Sequence, residues 1–214
     1  MTKRDAKRQA ILDTAYRLFR TQGFDGTSVS QITAEVGGSK ATIYSHFPSK
    51  EELFVECMTT AIDDYLTEVV AQGTAELDVI GTDPVAVLRH YGNRYLKVMC
   101  SPDTVAARRL MIAEAARAGI GKLLLIRITA MRAHVVAFLS QLMVNGALRP
   151  DDAALAADHL RALLEAEIVE PLLLQARNDF PDEMEIALAV DRAISVFVRA
   201  YVAALNTQET SRVQ

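Results

Sequence analysis

Residues 28–53, SVSQITAEVGGSKATIYSHFPSKEEL, decide the reading of this chain. Ser28-x-x-Gln31 is a capping box that opens one short helix, and Gly37-Gly38 ends it. Ser39 caps a second short helix running to about His46, and Phe47-Pro48 ends that one. Ser49-x-x-Glu52 is a second capping box and opens a third, longer helix. Helices this short rarely persist without a purpose, because nucleation is costly and each turn gains little. Two short helices joined by a tight glycine turn follow the grammar of a helix-turn-helix, whose second helix enters the DNA major groove.

Side-chain chemistry along the second helix agrees. Ile43 and Phe47 are four apart and share a face that can pack on Ile11, Leu18, Val29, Ile32 and Val36. That leaves Lys40, Ala41, Thr42, Tyr44, Ser45 and His46 wholly or partly outward. Thr and Ser hydroxyls can donate or accept at base edges, and Ala41 or the Thr42 methyl can meet a thymine methyl. Tyr44 can hydrogen-bond a phosphate, and Lys40 and Lys50 can neutralise phosphates. Lys50 lies in a first helical turn, whose free N–H groups also favour an anion.

Residues 4–54 resemble the DNA-binding domain of the TetR family of transcriptional regulators. The resemblance is carried by Ile11-Leu12, Leu18-Phe19, Gly23-Phe24, Thr27-Ser28-Val29, Ile32, GGSKATIY (37–44) and His46-Phe47-Pro48-Ser49-Lys50-Glu51-Glu52-Leu53. It implies that Ser28 and Ser30 lie near DNA at the start of the first of the two short helices. It also implies that Lys40, Ala41, Thr42, Tyr44 and Ser45 face the groove or its walls, and that His46 and Lys50 contact phosphate. Gly38 stands where the family usually has a bulky apolar residue, and Thr33 where it usually has Ala. RRLMIAEAAR (108–117) and the 151–174 segment resemble a subgroup sharing one kind of regulatory domain.

Charge distribution points the same way. Residues 1–50 hold eight Lys/Arg and four Asp/Glu, a net of +4, whereas the whole chain is at −4. A basic end on an acidic body directs that end toward phosphate. Cys57 and Cys100 lie far apart in helical patterns and read as buried free thiols. No apolar signal region follows MTKRDAKRQA. The most apolar stretch, residues 123–144, is interrupted by Arg127, Arg132 and His134, so no membrane span is expected. The expected location is cytoplasmic, associated with the nucleoid.

Half of the 214 residues are hydrophobic, Trp is absent, and Gly and Pro are few. An all-α chain of about nine helices follows. The expected division is a helix-turn-helix domain over 1–54 (motif 28–47), a helical ligand-binding and dimerisation domain over 55–206, and a flexible tail over 207–214. The first helix is expected over 3–22, with Phe24 tucked back onto it. A fourth helix should run from Ser49 toward Val70, with a loop over 73–82. Five more are expected at 83–100, 101–118, about 120–144, 150–178 (kinked at Pro171) and 180–205.

Two long apolar helices at the end of the chain suit a two-fold four-helix interface formed by Leu164, Ile168, Leu172, Ile194, Phe197 and Tyr201. A dimer places two reading helices in successive major grooves about 34–36 Å apart, which calls for a palindromic double-stranded operator. Tyr65, Tyr91, Tyr95, Met99, Met111, Phe138, Leu142 and Met143 could line an apolar effector cavity, with Glu114 and Arg117 as polar anchors. The same residues suit a plain core. His90, His134 and His159 have no metal-ligand spacing, and Glu165-x-Glu167-x-x-Glu170 lacks an ExxH partner. No cofactor, metal or catalytic set is expected. The expected function is a homodimeric, DNA-binding transcriptional regulator, most simply a repressor relieved by a small apolar or amphipathic effector. The alternative is a DNA-binding dimer that answers to a protein partner, or to nothing.

Overall fold

The computed structural model describes residues 2–77, 83–117 and 119–202. Ten helices and no strand occur among them. They are α1 (Lys3–Gly26), α2 (Val29–Val36), α3 (Lys40–Tyr44), α4 (Lys50–Leu77), α5 (Pro84–Met99), α6 (Pro102–Glu114), α7 (Ile120–Val144), α8 (Ala153–Glu165), α9 (Val169–Leu173) and α10 (Glu183–Tyr201). They form two compact units. One comprises the chain to residue 65 with 102–130, and the other 66–101 with the chain from 131 on. The first unit therefore takes in more of the chain than the 1–54 segment marked out by the sequence.

In the first unit, α1 provides the floor on which the short helices sit. Ile11, Ala15 and Phe19 are fully buried along one of its faces, at the spacing of an amphipathic helix. The backbone leaves helical geometry at Gly23 (φ 73°), and Phe24 folds back to stack on Phe19 at 5.8 Å. Phe54 of α4 meets both rings edge-on, at 5.1 and 5.2 Å. Ile32, Ile43 and Phe47 complete this core. Each such side chain contributes roughly 1.5–3 kcal/mol by burial, which holds helices of five and eight residues that could not stand alone.

In the second unit, α5, α8 and α10 pack together. Gly92 of α5 makes the close approach possible: a Cβ there would lie 2.9 Å from Val190 Cγ1 and 3.1 Å from Leu164 Cδ2. Exposed pairs such as Arg89–Asp191 (2.9 Å) and Lys97–Glu183 (2.6 Å) decorate this packing and contribute little to it.

Several helix limits differ from expectation. Residues 73–77, expected in a loop, continue α4, since Gly73 is followed by the helix-compatible Thr-Ala-Glu-Leu. Residues 78–82 and the expected tail at 207–214 lie outside the described residues. Helix α6 stops at Glu114 instead of near 118, and α10 begins at Glu183 behind an Asp182 cap. The single helix expected over 150–178 is two. The chain turns at 166–168 and restarts, so Pro171 falls in the first turn of α9. There its missing N–H costs nothing, whereas an uninterrupted helix would set its ring against the carbonyl of Glu167.

By length and composition α7 could cross a membrane, with a window of mean hydropathy 1.6. Its arginines are instead engaged by neighbouring helices. Arg127 reaches Asp63 (3.5 Å) and Thr59 (3.3 Å), and Arg132 donates to Asp158 at 2.5 Å.

Candidate nucleic-acid interface

The helix-turn-helix is built from its caps. Ser28 Oγ accepts from Gln31 N at 3.1 Å while Ser28 N donates to Gln31 Oε1 at 2.7 Å. Gly37 and Gly38 both take positive φ, 77° and 107°, which turns the chain between α2 and α3. Ser39 Oγ then accepts from Thr42 N at 3.2 Å, and Thr42 Oγ1 accepts from Ser39 N at 3.3 Å. Downstream, Ser49 Oγ accepts from Glu52 N at 3.0 Å to start α4.

The inner side of α3 and of the turn that follows it is sealed, with Ile43 and Phe47 only 3% and 1% exposed. Lys40, Ala41, Tyr44 and Ser45 are exposed, Tyr44 to 47%. Thr42 and His46 are half-buried, and Ser28 and Ser30 are exposed at the head of α2. Three hydroxyls expected to read DNA carry other bonds: Ser28 and Thr42 serve the caps, and Ser45 Oγ donates to Thr42 O at 2.7 Å. The outward groups left with no such duty are Lys40, Ala41 and Tyr44, which stand next to one another on the helix surface.

The N-terminal cations are less free than composition implied. Arg8 pairs with Glu56 while lying 5.0 Å over the Phe47 ring, Arg17 pairs with Glu35, and Arg20 reaches Asp103 at 2.6 Å. Lys7 bonds two backbone carbonyls. Lys50 Nζ sits 4.2 Å from the centre of the Phe24 ring, and burial pulls its pKa below the ordinary lysine range, partly offset by Asp25 and Glu51. Its charge thus rests on an aromatic platform beside the motif. Lys3, Arg4 and Lys40 are exposed.

The expected effector group is divided. Tyr91, Tyr95, Met99, Phe138 and Leu142 are all buried in the second unit, with the Tyr91 ring stacked against Tyr95 (5.9 Å) and Phe138 (6.0 Å). Tyr95 donates to Glu165. Met111 and Glu114 belong to the first unit, where Glu114 pairs with Arg117, which also grips Asp25 (2.6 Å). The side chain of Tyr65 lies outside the described residues. The first unit carries a cleft of about 370 Å³ between α1, α4 and α6, floored by Leu12, Met58 and Ala107.

The residues expected at a dimer interface lie in the core of one chain. Leu164, Ile168, Leu172, Ile194, Phe197 and Tyr201 are each 5% exposed or less within a single chain. An apolar stripe at helical spacing satisfies its own core first, and these six do so. The apolar side chains left outward nearby are Leu155 (48%), Met184 (70%), Leu188 (51%) and Val196 (44%).

A capped helix-turn-helix with an outward polar second helix, carried on a large helical body, defines a DNA-binding regulator. The comparisons specify the family. Residues 11–57 match the model for "Bacterial regulatory proteins, tetR family", and residues 86–203 match "AefR-like transcriptional repressor, C-terminal domain". The chain belongs to the TetR family of transcriptional regulators. It is 26% identical over 208 residues to the uncharacterized HTH-type transcriptional regulator YxaF of Bacillus subtilis (strain 168), covering 93% of this chain and 98% of YxaF. It is 34% identical over 113 residues to the HTH-type transcriptional regulator AcrR of Shigella flexneri, covering 52% of this chain and 49% of AcrR. The crystal structure of a putative TetR-family regulator from Mesorhizobium loti MAFF303099 superposes with a TM-score of 0.79 at 25% identity, covering 95% of this chain and all of that one. Regulators of this family bind DNA operators and act as dimers, and the relationship is to transcriptional regulators, not to enzymes.

Proposed function

We propose that the chain is a homodimeric repressor that reads a palindromic operator through α3 and is released by a small apolar or amphipathic effector. The observation that carries the DNA contact is the two-sidedness of α3. Ile43 and Phe47 face inward while Lys40, Ala41 and Tyr44 face outward, a face suited to groove edges and phosphates. Lys50, Ser30 and His46 flank that face and fit phosphate contacts. The repressor assignment draws support from the name of the model matching residues 86–203. Dimerisation is assigned to the outer apolar face of α10 and α8, supported by the exposure of Met184, Leu188, Val196 and Leu155 on a single chain. The effector is assigned to the aromatic group of the second unit, Tyr91, Tyr95 and Phe138, with the Tyr95–Glu165 bond as a polar anchor. Release needs an effector that binds the non-reading state more tightly, since a ligand shifts a two-state equilibrium only by its differential affinity. The proposed setting is the cytoplasm, at the nucleoid.

The test has two stages. A duplex is selected from random-sequence DNA by the full-length protein, and its stoichiometry is measured. Two protomers on one palindrome are expected; binding that is uniform across sequences would contradict the reading. Native mass spectrometry then looks for retained small molecules, which are titrated against the complex. Release supports effector control. A fully occupied complex that no retained or added small molecule dissociates favours the partner-controlled alternative.

A further inference from the structure

Lys7 of α1 aims its ammonium at the helix-turn-helix backbone. Its Nζ donates to Val36 O and to Gly37 O, both at 2.8 Å. These are the terminal carbonyls of α2, where the helix lacks intrahelical donors and its dipole is negative. The link that follows has no side chain to anchor it. Gly37 and Gly38 both sit at positive φ, and a Cβ on Gly37 would meet nothing within 4 Å. Gly37 N–H already bonds Thr33 O at 2.9 Å, which closes the helix but ties it to nothing outside itself. A charged donor on two acceptors is the stronger kind of hydrogen bond.

We propose that Lys7 is a positioning residue: a latch from α1 that sets the exit of α2, and through the side-chain-free Gly37-Gly38 link the direction in which α3 presents Lys40, Ala41 and Tyr44. A motif without a bulky apolar residue at the turn gains its rigidity from this cation. Lys7 therefore acts on DNA affinity through geometry, and its charge is spent on carbonyls and not on phosphate. The proposal rests on α3 being the reading helix. Without the latch, misaligned arrangements of α3 compete, and apparent affinity falls by the fraction of molecules still aligned.

The experiment compares wild-type, Lys7→Met and Lys7→Arg as full-length proteins. Binding is measured by fluorescence anisotropy, between 50 and 300 mM salt, on the duplex selected by the wild-type protein and on a scrambled duplex. For Lys7→Met the expected result is about a tenfold or larger loss on the selected duplex, with little change on the scrambled one and an unchanged slope of log affinity against log salt. Lys7→Arg, which can also donate to both carbonyls, should recover most of the loss. A slope reduced by about 0.9 per protomer would mean that Lys7 neutralises a phosphate, and would overturn the proposal. So would equal losses on both duplexes, or unchanged discrimination. A merely structural role would lower the melting temperature without changing discrimination at 20 °C. If no duplex is selected by the wild-type protein, the reading of α3 fails before Lys7 is reached, and the two failures are distinct.

Discussion

Replacing Ser39 by Ala removes the oxygen that caps the five-residue helix α3. Ser39 Oγ accepts from Thr42 N at 3.2 Å and lies 3.1 Å from Thr42 Oγ1, and neither bond survives in Ser39→Ala. The site is exposed, so the freed N–H turns to water, and the cost is that of an N-cap, about 1 kcal/mol. For a chain of this size that corresponds to a drop of about 2–4 °C in melting temperature if the chain unfolds as one. It also corresponds to at most about a fivefold loss in operator affinity per protomer, or about 30-fold for a dimer, if DNA needs the capped form. Ser39→Asp separates the two consequences. Asp caps as well as Ser, so stability should return, but a carboxylate beside Lys40 in a groove-facing turn repels phosphate, so binding should worsen further. Differential scanning fluorimetry and anisotropy on the same preparations read both quantities. If Ser39→Ala shifts neither, or if Ser39→Asp restores stability and affinity together, the cap is not what holds α3 against DNA.

Gly92→Ala sets a Cβ 2.9 Å from Val190 and should destabilise the second unit by roughly 1–3 kcal/mol, read as a lower urea midpoint; an unchanged midpoint would show that α5 and α10 separate freely. Burial pushes the Cys57 thiol up, so it should stay unreactive toward a disulfide reagent at pH 8 until the protein unfolds. Because the unfolded thiol ionises in its ordinary range and the folded one does not, the stability contributed by Cys57 is complete below that range. It declines as pH rises through it, and Cys57→Ser should flatten this alkaline decline in the urea midpoint. Leu188→Glu, on the outer face of α10, should convert the dimer to monomer in sedimentation experiments without loss of helix content; a persisting dimer would place the interface elsewhere.

The helix starts were legible because caps are local. Ser28, Ser39 and Asp83 each announce a helix with a side chain that bonds its own first turn. The inner side of α3 was legible too, since Ile43 and Phe47, just past its end, are at helical spacing. What the sequence hid were other decisions made by tertiary contact. Nothing local distinguishes Lys7, which latches α2, from Lys3 or Arg4. The restart before Pro171 was visible as a proline but not as a break one turn upstream. The stripe through Leu164, Ile194 and Phe197 signalled burial, and periodicity alone does not say whether a helix is buried by its own chain or by a second copy. The effector group is ambiguous for a related reason: Tyr and Met at helical spacing look the same in a filled core as around a ligand.

The account rests on α3 being an outward-facing reader of DNA, and the Tyr44→Ala variant tests this most directly. Tyr44 is 47% exposed and caps no helix, so its loss should leave fold and dimer intact by circular dichroism and sedimentation. Affinity for the selected duplex should fall at least tenfold at fixed salt. An intact Tyr44→Ala dimer that binds that duplex as tightly as the wild type would contradict the account.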